Sequence, residues 1–152
     1  MENEFNNLNE VDSLLIKKGF KSLNKIEDIK NIERVSSGIT ELDKLLNGGW
    51  PKGKIIELYG LPSSAKSTLS YISIGSLQKQ NYTNVLIDTE NSFTSTYGYW
   101  CGINLNTLGI YTPNCLEEAF EGIRLLVNSK YIDFIWVDTL AALSLQSEIQ
   151  SG

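Results

Sequence analysis

Gly60-Leu61-Pro62-Ser63-Ser64-Ala65-Lys66-Ser67 joins an apolar run, Lys54 to Tyr59, to a stretch with helical spacing, Lys66 to Gln80. A glycine-opened loop between strand and helix that ends in Lys-Ser has the outline of the phosphate-cradling pattern G-x-x-x-x-G-K-[ST]. In that pattern backbone N–H groups wrap the phosphates, Lys reaches the β- and γ-phosphates, and the Ser or Thr hydroxyl serves Mg²⁺. Lys66 begins the helix, where free N–H groups and the helix dipole already favour an anion. Ala65 stands where the pattern has its second glycine. If φ is positive there, alanine costs about 1 kcal/mol, roughly a fivefold loss of affinity or stability.

Outward from this loop, strand and helix alternate. Lys54 to Tyr59 reads as a buried strand, and Lys66 to Gln80 as a helix with Leu69, Ile72 and Leu77 inward. Asn84–Asp88, Leu108–Tyr111 and Phe134–Asp138 read as three further strands. Leu116, Ala119, Phe120, Ile123, Leu126 and Val127 recur at helical spacing between the last two, with Asn114 and Glu117 placed for a capping box. Ile39, Leu42, Leu45 and Leu46 form an earlier helical stripe that stops at Asn47-Gly48-Gly49, ahead of Pro51. This alternation predicts an α/β fold of at least four parallel strands with helices on both faces and ligands at the carboxyl ends.

The 152 residues suit a single domain of ordinary size. Residues 1 to 33 are rich in Asn, Glu and Lys, with short amphipathic candidates at Val11, Leu14, Leu15 and Phe20 and around Ile26 to Ile32. They read as a helical appendage, either a partner-binding arm or a small cap. No apolar run approaches the length of a membrane span, and the acidic start Met1-Glu2-Asn3-Glu4 is unlike a secretory signal, so a cytoplasmic location is expected. Histidine is absent, and Cys101 and Cys115 lack metal-ligand spacing; both read as buried free thiols. The net charge of −5, with only Lys66, Lys79, Arg124 and Lys130 basic beyond residue 60, carries no electrostatic signature of nucleic-acid binding.

Asp138 ends an apolar strand, so its carboxylate belongs at the same sheet edge as the loop, placed to hold Mg²⁺ with Ser67. A strand-end aspartate taken alone is usually a turn or cap residue; its pairing with the loop argues for the metal. Glu90, two residues past Asp88, is the candidate to polarise an attacking water, although alone it would be a solvated loop carboxylate.

Several segments together resemble the core of the RecA recombinases. They are Ser36-Ser37-Gly38-Ile39-Thr40-Glu41-Leu42-Asp43, Gly48-Gly49-Trp50-Pro51-Lys52-Gly53, Ile55-Ile56-Glu57-Leu58-Tyr59-Gly60, Ile87-Asp88-Thr89-Glu90 and Val137-Asp138-Thr139-Leu140-Ala141-Ala142-Leu143. The resemblance divides the chain into an appendage, 1–34, and a RecA-like P-loop core, 35–152. It implies that Gly60, Leu61, Pro62, Ser63, Ser64, Ala65, Lys66, Ser67 and Thr68 hold ATP. It further implies that Ser67 and Asp138 serve Mg²⁺, that Glu90 activates water with Lys66 on the phosphates, and that Tyr97, followed by Gly102, stacks on adenine. Packing is the other use for the Tyr97 ring.

In such a family, monomers form a filament on single-stranded DNA and drive strand exchange in recombination and repair. The implied activity is a DNA-dependent ATPase, with nucleotide binding the firmer expectation than turnover, because Ala65 departs from the pattern as some phage recombinases of the family do. Ser147-Glu148-Ile149-Gln150-Ser151-Gly152 resembles the approach to the first DNA-binding loop. The resemblance therefore implies a truncated core without both DNA loops and without the strand that carries a γ-phosphate sensor between the P-loop and Asp138 strands. Two other functions fit these residues: a catalytically silent paralogue that docks on a full-length recombinase, and another ATPase of the RecA-like class.

Overall fold

Val85, Leu86 and Ile87 follow one another without polar alternation, the pattern of a strand covered on both faces. All five residues of Asn84–Asp88 are buried in the computed structural model of the protein, which describes residues 7–19 and 32–144. The elements in chain order are α1 (Leu8–Lys17), β1 (Arg34–Val35), α2 (Thr40–Leu45), β2 (Trp50–Pro51), α3 (Lys66–Lys79), β3 (Asn84–Asp88), α4 (Ser95–Trp100), β4 (Leu108–Tyr111), α5 (Leu116–Ser129) and β5 (Phe134–Asp138). A 3₁₀ turn over Leu140–Ala142 follows. The chain divides into two compact units, Met1–Glu33 and Arg34–Gly152.

In the first unit, the Asn7 side chain caps α1 by accepting the Glu10 N–H at 3.1 Å. The candidate helix around Ile26 lies outside the described residues.

In the second unit, β3 is the middle of a three-stranded parallel sheet in the order β4-β3-β5, paired Asn84↔Leu108 and Asn84↔Phe134 at its start and Asp88↔Asp138 at its end. Asn84 also spans two strands, accepting the Trp136 indole N–H at 3.1 Å. α3 packs on β3 through Tyr71 and Ile74, which form a buried cluster with Leu86 and Ile103. Gly75 lets the helix close on the turn after α4, because a Cβ there would stand 2.6 Å from the Gly102 carbonyl oxygen. The inward face of α3 is Tyr71, Ser73, Ile74, Gly75 and Leu77, whereas Leu69 and Ile72, expected inward, are only half-buried.

Lys54 to Tyr59 corrects the sequence reading. It forms no strand, Ile55 is fully exposed and Tyr59 is 88% exposed. Among the described residues no strand pairs with it, and β5 has β3 as its one neighbour, so the parallel sheet has three strands where at least four were expected. An apolar run supplies a side-chain pattern, but a strand also needs a partner for its N–H and C=O groups.

α5 also differs in detail. Its N-cap is Cys115, and the reach back to the Asn114 N–H comes from Glu118, at 2.9 Å, one residue later than the expected Glu117 box. Ala119 is buried, but Phe120 and Val127, expected on the inner stripe, are exposed. Of the two free cysteines, Cys115 is buried and Cys101 half-buried.

A small antiparallel pair, β1 with β2, joins Val35 to Trp50. Asp43 of α2 holds the segment before it, accepting the Ser37 N–H at 2.8 Å and the Ser36 hydroxyl at 2.6 Å. Gly49, at φ 105°, passes so close to Val35 that a Cβ would collide with its carbonyl. Burial alone would raise the Asp43 pKa, but the hydrogen bonds from Ser36 and Ser37 outweigh it and hold the carboxyl below its ordinary 3.8.

Because this pKa is depressed in the folded protein, the contribution of Asp43 is present above pH 3.8 and is lost as pH falls through the folded value. Asp43→Asn is expected to cost roughly 1–2 kcal/mol at neutral pH and to flatten the acid limb of stability, as measured by urea melts across pH. Leu86→Ala is expected to cost about 2–5 kcal/mol and Ile55→Ser within about 0.5 kcal/mol, a contrast that thermal or urea denaturation measures directly.

Candidate functional site

The loop from Gly60 into α3 takes the conformation its sequence makes expensive. Ser63 has φ 61° and Ala65 φ 63°, both left-handed. Ala65 is the N-cap of α3 and offers no side-chain acceptor, and the first turn contains no acidic residue. The opening N–H groups of the helix therefore have no carboxylate in their own turn, and the acidic side chain on the wall of the adjoining cavity is Glu57. The Lys66 ammonium closes over the loop, donating to the carbonyls of Gly60 at 3.1 Å and Leu61 at 3.0 Å. A cavity of about 450 Å³, a size that suits a small ligand, is lined by Glu57, Leu58, Tyr59, Gly60, Ser64, Ala65, Lys66 and Leu69.

Tyr97 is brought to the same helix end. Thr94 caps α4, and the Tyr97 hydroxyl lies 2.7 Å from the Thr68 hydroxyl in the first turn of α3. Its ring stands edge-on to Tyr71 at 6.0 Å, and Tyr71 in turn meets Phe93 at 5.4 Å. The ring is thus a packing aromatic along one edge and remains partly exposed.

The carboxylates gather at the carboxyl ends of β3 and β5, where Asp88 and Asp138 are paired in register. The Oδ2 atom of Asp138 is buried and has no hydrogen-bond partner among the described residues. Glu90 is exposed in the loop after β3. Asp88 closes that loop, its two oxygens accepting the N–H groups of Ser92 at 3.1 Å and Phe93 at 2.9 Å. Tyr71 is buried and feels the charge of both carboxylates. Burial first, and then the negative charges of Asp138 and Asp88, push its phenol up to about 12 against a smaller opposing effect of a Ser92 hydrogen bond. Tyr71 therefore stays neutral through the physiological range.

Tyr97, Glu90 and Asp138 do not line the cavity beside Lys66. The structure ties Tyr97 to Thr68 and pairs the Asp138 strand with the strand leading to Glu90. Asp88, Thr89 and Tyr71 escaped the sequence reading as working residues. Asp88 before Asn91-Ser92 did carry a signal, the strand-end Asp of a tight turn. Nothing local marks Thr89 or Tyr71, whose partners lie far along the chain.

The family model of the RecA N-terminal domain matches residues 6–152. The chain belongs to the RecA family. It is 42% identical over 125 residues to Protein RecA of Delftia acidovorans, covering 82% of this chain and 34% of that relative. It is 35% identical over 144 residues to Protein RecA of Francisella tularensis subsp. novicida, covering 94% of this chain and 40% of that relative. The chain thus spans between about a third and two-fifths of the length of these curated relatives. Its parallel sheet and helices constitute a partial RecA-like core. No helix among the described residues is long and apolar enough to cross a membrane.

In this RecA-family loop Ala65 already occupies the left-handed region, so its strain is carried by the fold itself. Ala65→Gly is expected to stabilise the protein by about 1 kcal/mol in urea melts, the reverse of the usual penalty for glycine.

Proposed function

We propose that residues 35–152 are a nucleotide-binding core that takes ATP with Mg²⁺, and that the protein serves DNA recombination or repair as RecA-family proteins do. The observation that carries this reading is the start of α3: a helix end without a side-chain cap and with no acidic residue in its first turn, under a glycine-opened loop with the Lys66 ammonium in its mouth. Fixed N–H groups and a fixed cation favour an anion, as a polyphosphate is. Gly60 to Thr68 hold the phosphates, and the exposed face of Tyr97 stacks on the base.

The metal reading is supported by the buried, unpartnered oxygen of Asp138. Among the described residues no group of three or more His, Cys, Asp or Glu side chains can hold a metal unaided. A hard cation held by one carboxylate and the Ser67 hydroxyl would complete its shell with phosphate oxygens and water, which suits Mg²⁺. When bound, Mg²⁺ supplies charge neutralisation at the phosphates. Glu90, in the loop braced by Asp88, orients a water.

Single-stranded DNA, further copies of the chain and a full-length recombinase are the partners this reading implies. Residues 1–34 form the appendage and the location is the cytoplasm.

Titration with fluorescent ATP in Mg²⁺ is expected to saturate, with Lys66→Ala weakening binding by at least about tenfold. Lack of saturable binding, or equal binding by Lys66→Ala, overturns the reading. ATP turnover stimulated by single-stranded DNA would add hydrolysis, whereas binding without turnover would favour a silent module that docks on a full-length recombinase.

A further inference from the structure

Thr89 stands between Asp88 and Glu90 and is 9% exposed. Its N–H carries the β3–β5 pairing one step past the strands, donating to the Asp138 carbonyl at 3.1 Å. Beyond that point the side chain takes over from the backbone. The Thr89 hydroxyl accepts the Thr139 N–H at 3.0 Å and faces two carbonyls, those of Thr139 at 2.6 Å and Asp138 at 3.2 Å. It has one hydrogen to give, and the shorter contact takes it. One hydroxyl thereby satisfies the Thr139 N–H, which its loss would leave unpaired at a half-buried position, and shares the Thr139 C=O with the Ala142 N–H, which reaches it at 3.3 Å.

The consequence concerns two carboxylates at once. The backbone on the carboxyl side of Asp138 is held in place, so the direction in which its side chain leaves the strand is set. Glu90 follows the held residue directly, and the far end of its loop is closed by Asp88 on Ser92 and Phe93. Glu90 therefore sits on a short loop anchored at both ends, one anchor being the residue that also holds Asp138.

We propose that Thr89 is a positioning residue, whose hydroxyl bonds to the N–H and C=O of Thr139 fix the Asp138 and Glu90 carboxylates relative to each other. By doing so they set how tightly a divalent cation is held beside bound nucleotide. This rests on the nucleotide reading above. It adds a supporting shell, of the kind that tunes a metal through the groups orienting its ligands, to the residues proposed to hold the cation directly.

The test compares wild type, Thr89→Val, which keeps the shape and removes the hydroxyl, and Thr89→Ser, which restores it. Each is saturated with ADP and titrated with Mn²⁺, read by water-proton relaxation. Thr89→Val is expected to weaken Mn²⁺ binding by about tenfold, with ADP affinity in EDTA within about twofold of wild type and Mn²⁺ affinity recovered in Thr89→Ser. Wild-type Mn²⁺ affinity in Thr89→Val, or a Thr89→Ser protein no better than Thr89→Val, overturns the proposal. A general loss of packing would not be rescued by serine.

Amide hydrogen exchange at Thr139 reads the clamp without nucleotide. It is expected to accelerate in Thr89→Val and not in Thr89→Ser, and unchanged protection in Thr89→Val overturns the clamp. If wild type fails to bind ADP, the nucleotide reading and the metal role fall together, and the exchange comparison still decides the clamp. Should Thr89→Val not fold, Thr89→Ala carries the same comparison.

Discussion

The pairing of β3 with strands on both of its edges is the constraint on which the rest of the structure depends. A central parallel strand must place its apolar side chains on two covered faces while every N–H and C=O finds a neighbour. β3 meets both demands: it is fully buried, bonded to β4 and β5, and covered by α3. Because Asp88 and Asp138 fall in the same register, the carboxyl ends of two strands arrive together, and Thr89 extends the pairing by one residue into the loop. The site inherits its position from that register. A slip by one residue would send every side chain of a strand to the opposite face.

At the loop, two opposing costs meet. A non-glycine residue in the left-handed region is destabilising by about 1–2 kcal/mol, and an uncapped helix start leaves N–H groups unsatisfied by protein side chains. Ala65 incurs both. Natural folds keep such local conflicts chiefly where a ligand or a mechanism uses them, and at this one the Lys66 ammonium folds across the loop carbonyls.

Much of the fold was legible locally. Three strands and the long helices α3 and α5 follow from short apolar runs, helical spacing and turn residues, and each occurs close to where the pattern places it. Lys54 to Tyr59 failed for a physical reason. Its residues have the composition of a buried strand, but strand formation is decided by a hydrogen-bonding neighbour, and the described residues provide none. The cap of α5 shifted by one residue because Glu118 reaches both the Asn114 N–H and the Tyr111 hydroxyl, while a capping-box rule considers the helix end alone.

The sequence by itself determined that the protein is α/β, that it carries a glycine-opened Lys-Ser loop before a helix, and that it resembles the RecA recombinases, since these depend on residue type and spacing along the chain. Only the tertiary structure decided that Ala65 is left-handed, that Tyr97 bonds to Thr68, that an oxygen of Asp138 is buried without a partner, and that the Thr89 hydroxyl grips Thr139 fifty positions away. Contacts between residues so far apart in the chain are products of register and packing. No local pattern encodes them, because the side chain that makes the bond is chosen by one segment and the group that receives it is delivered by another.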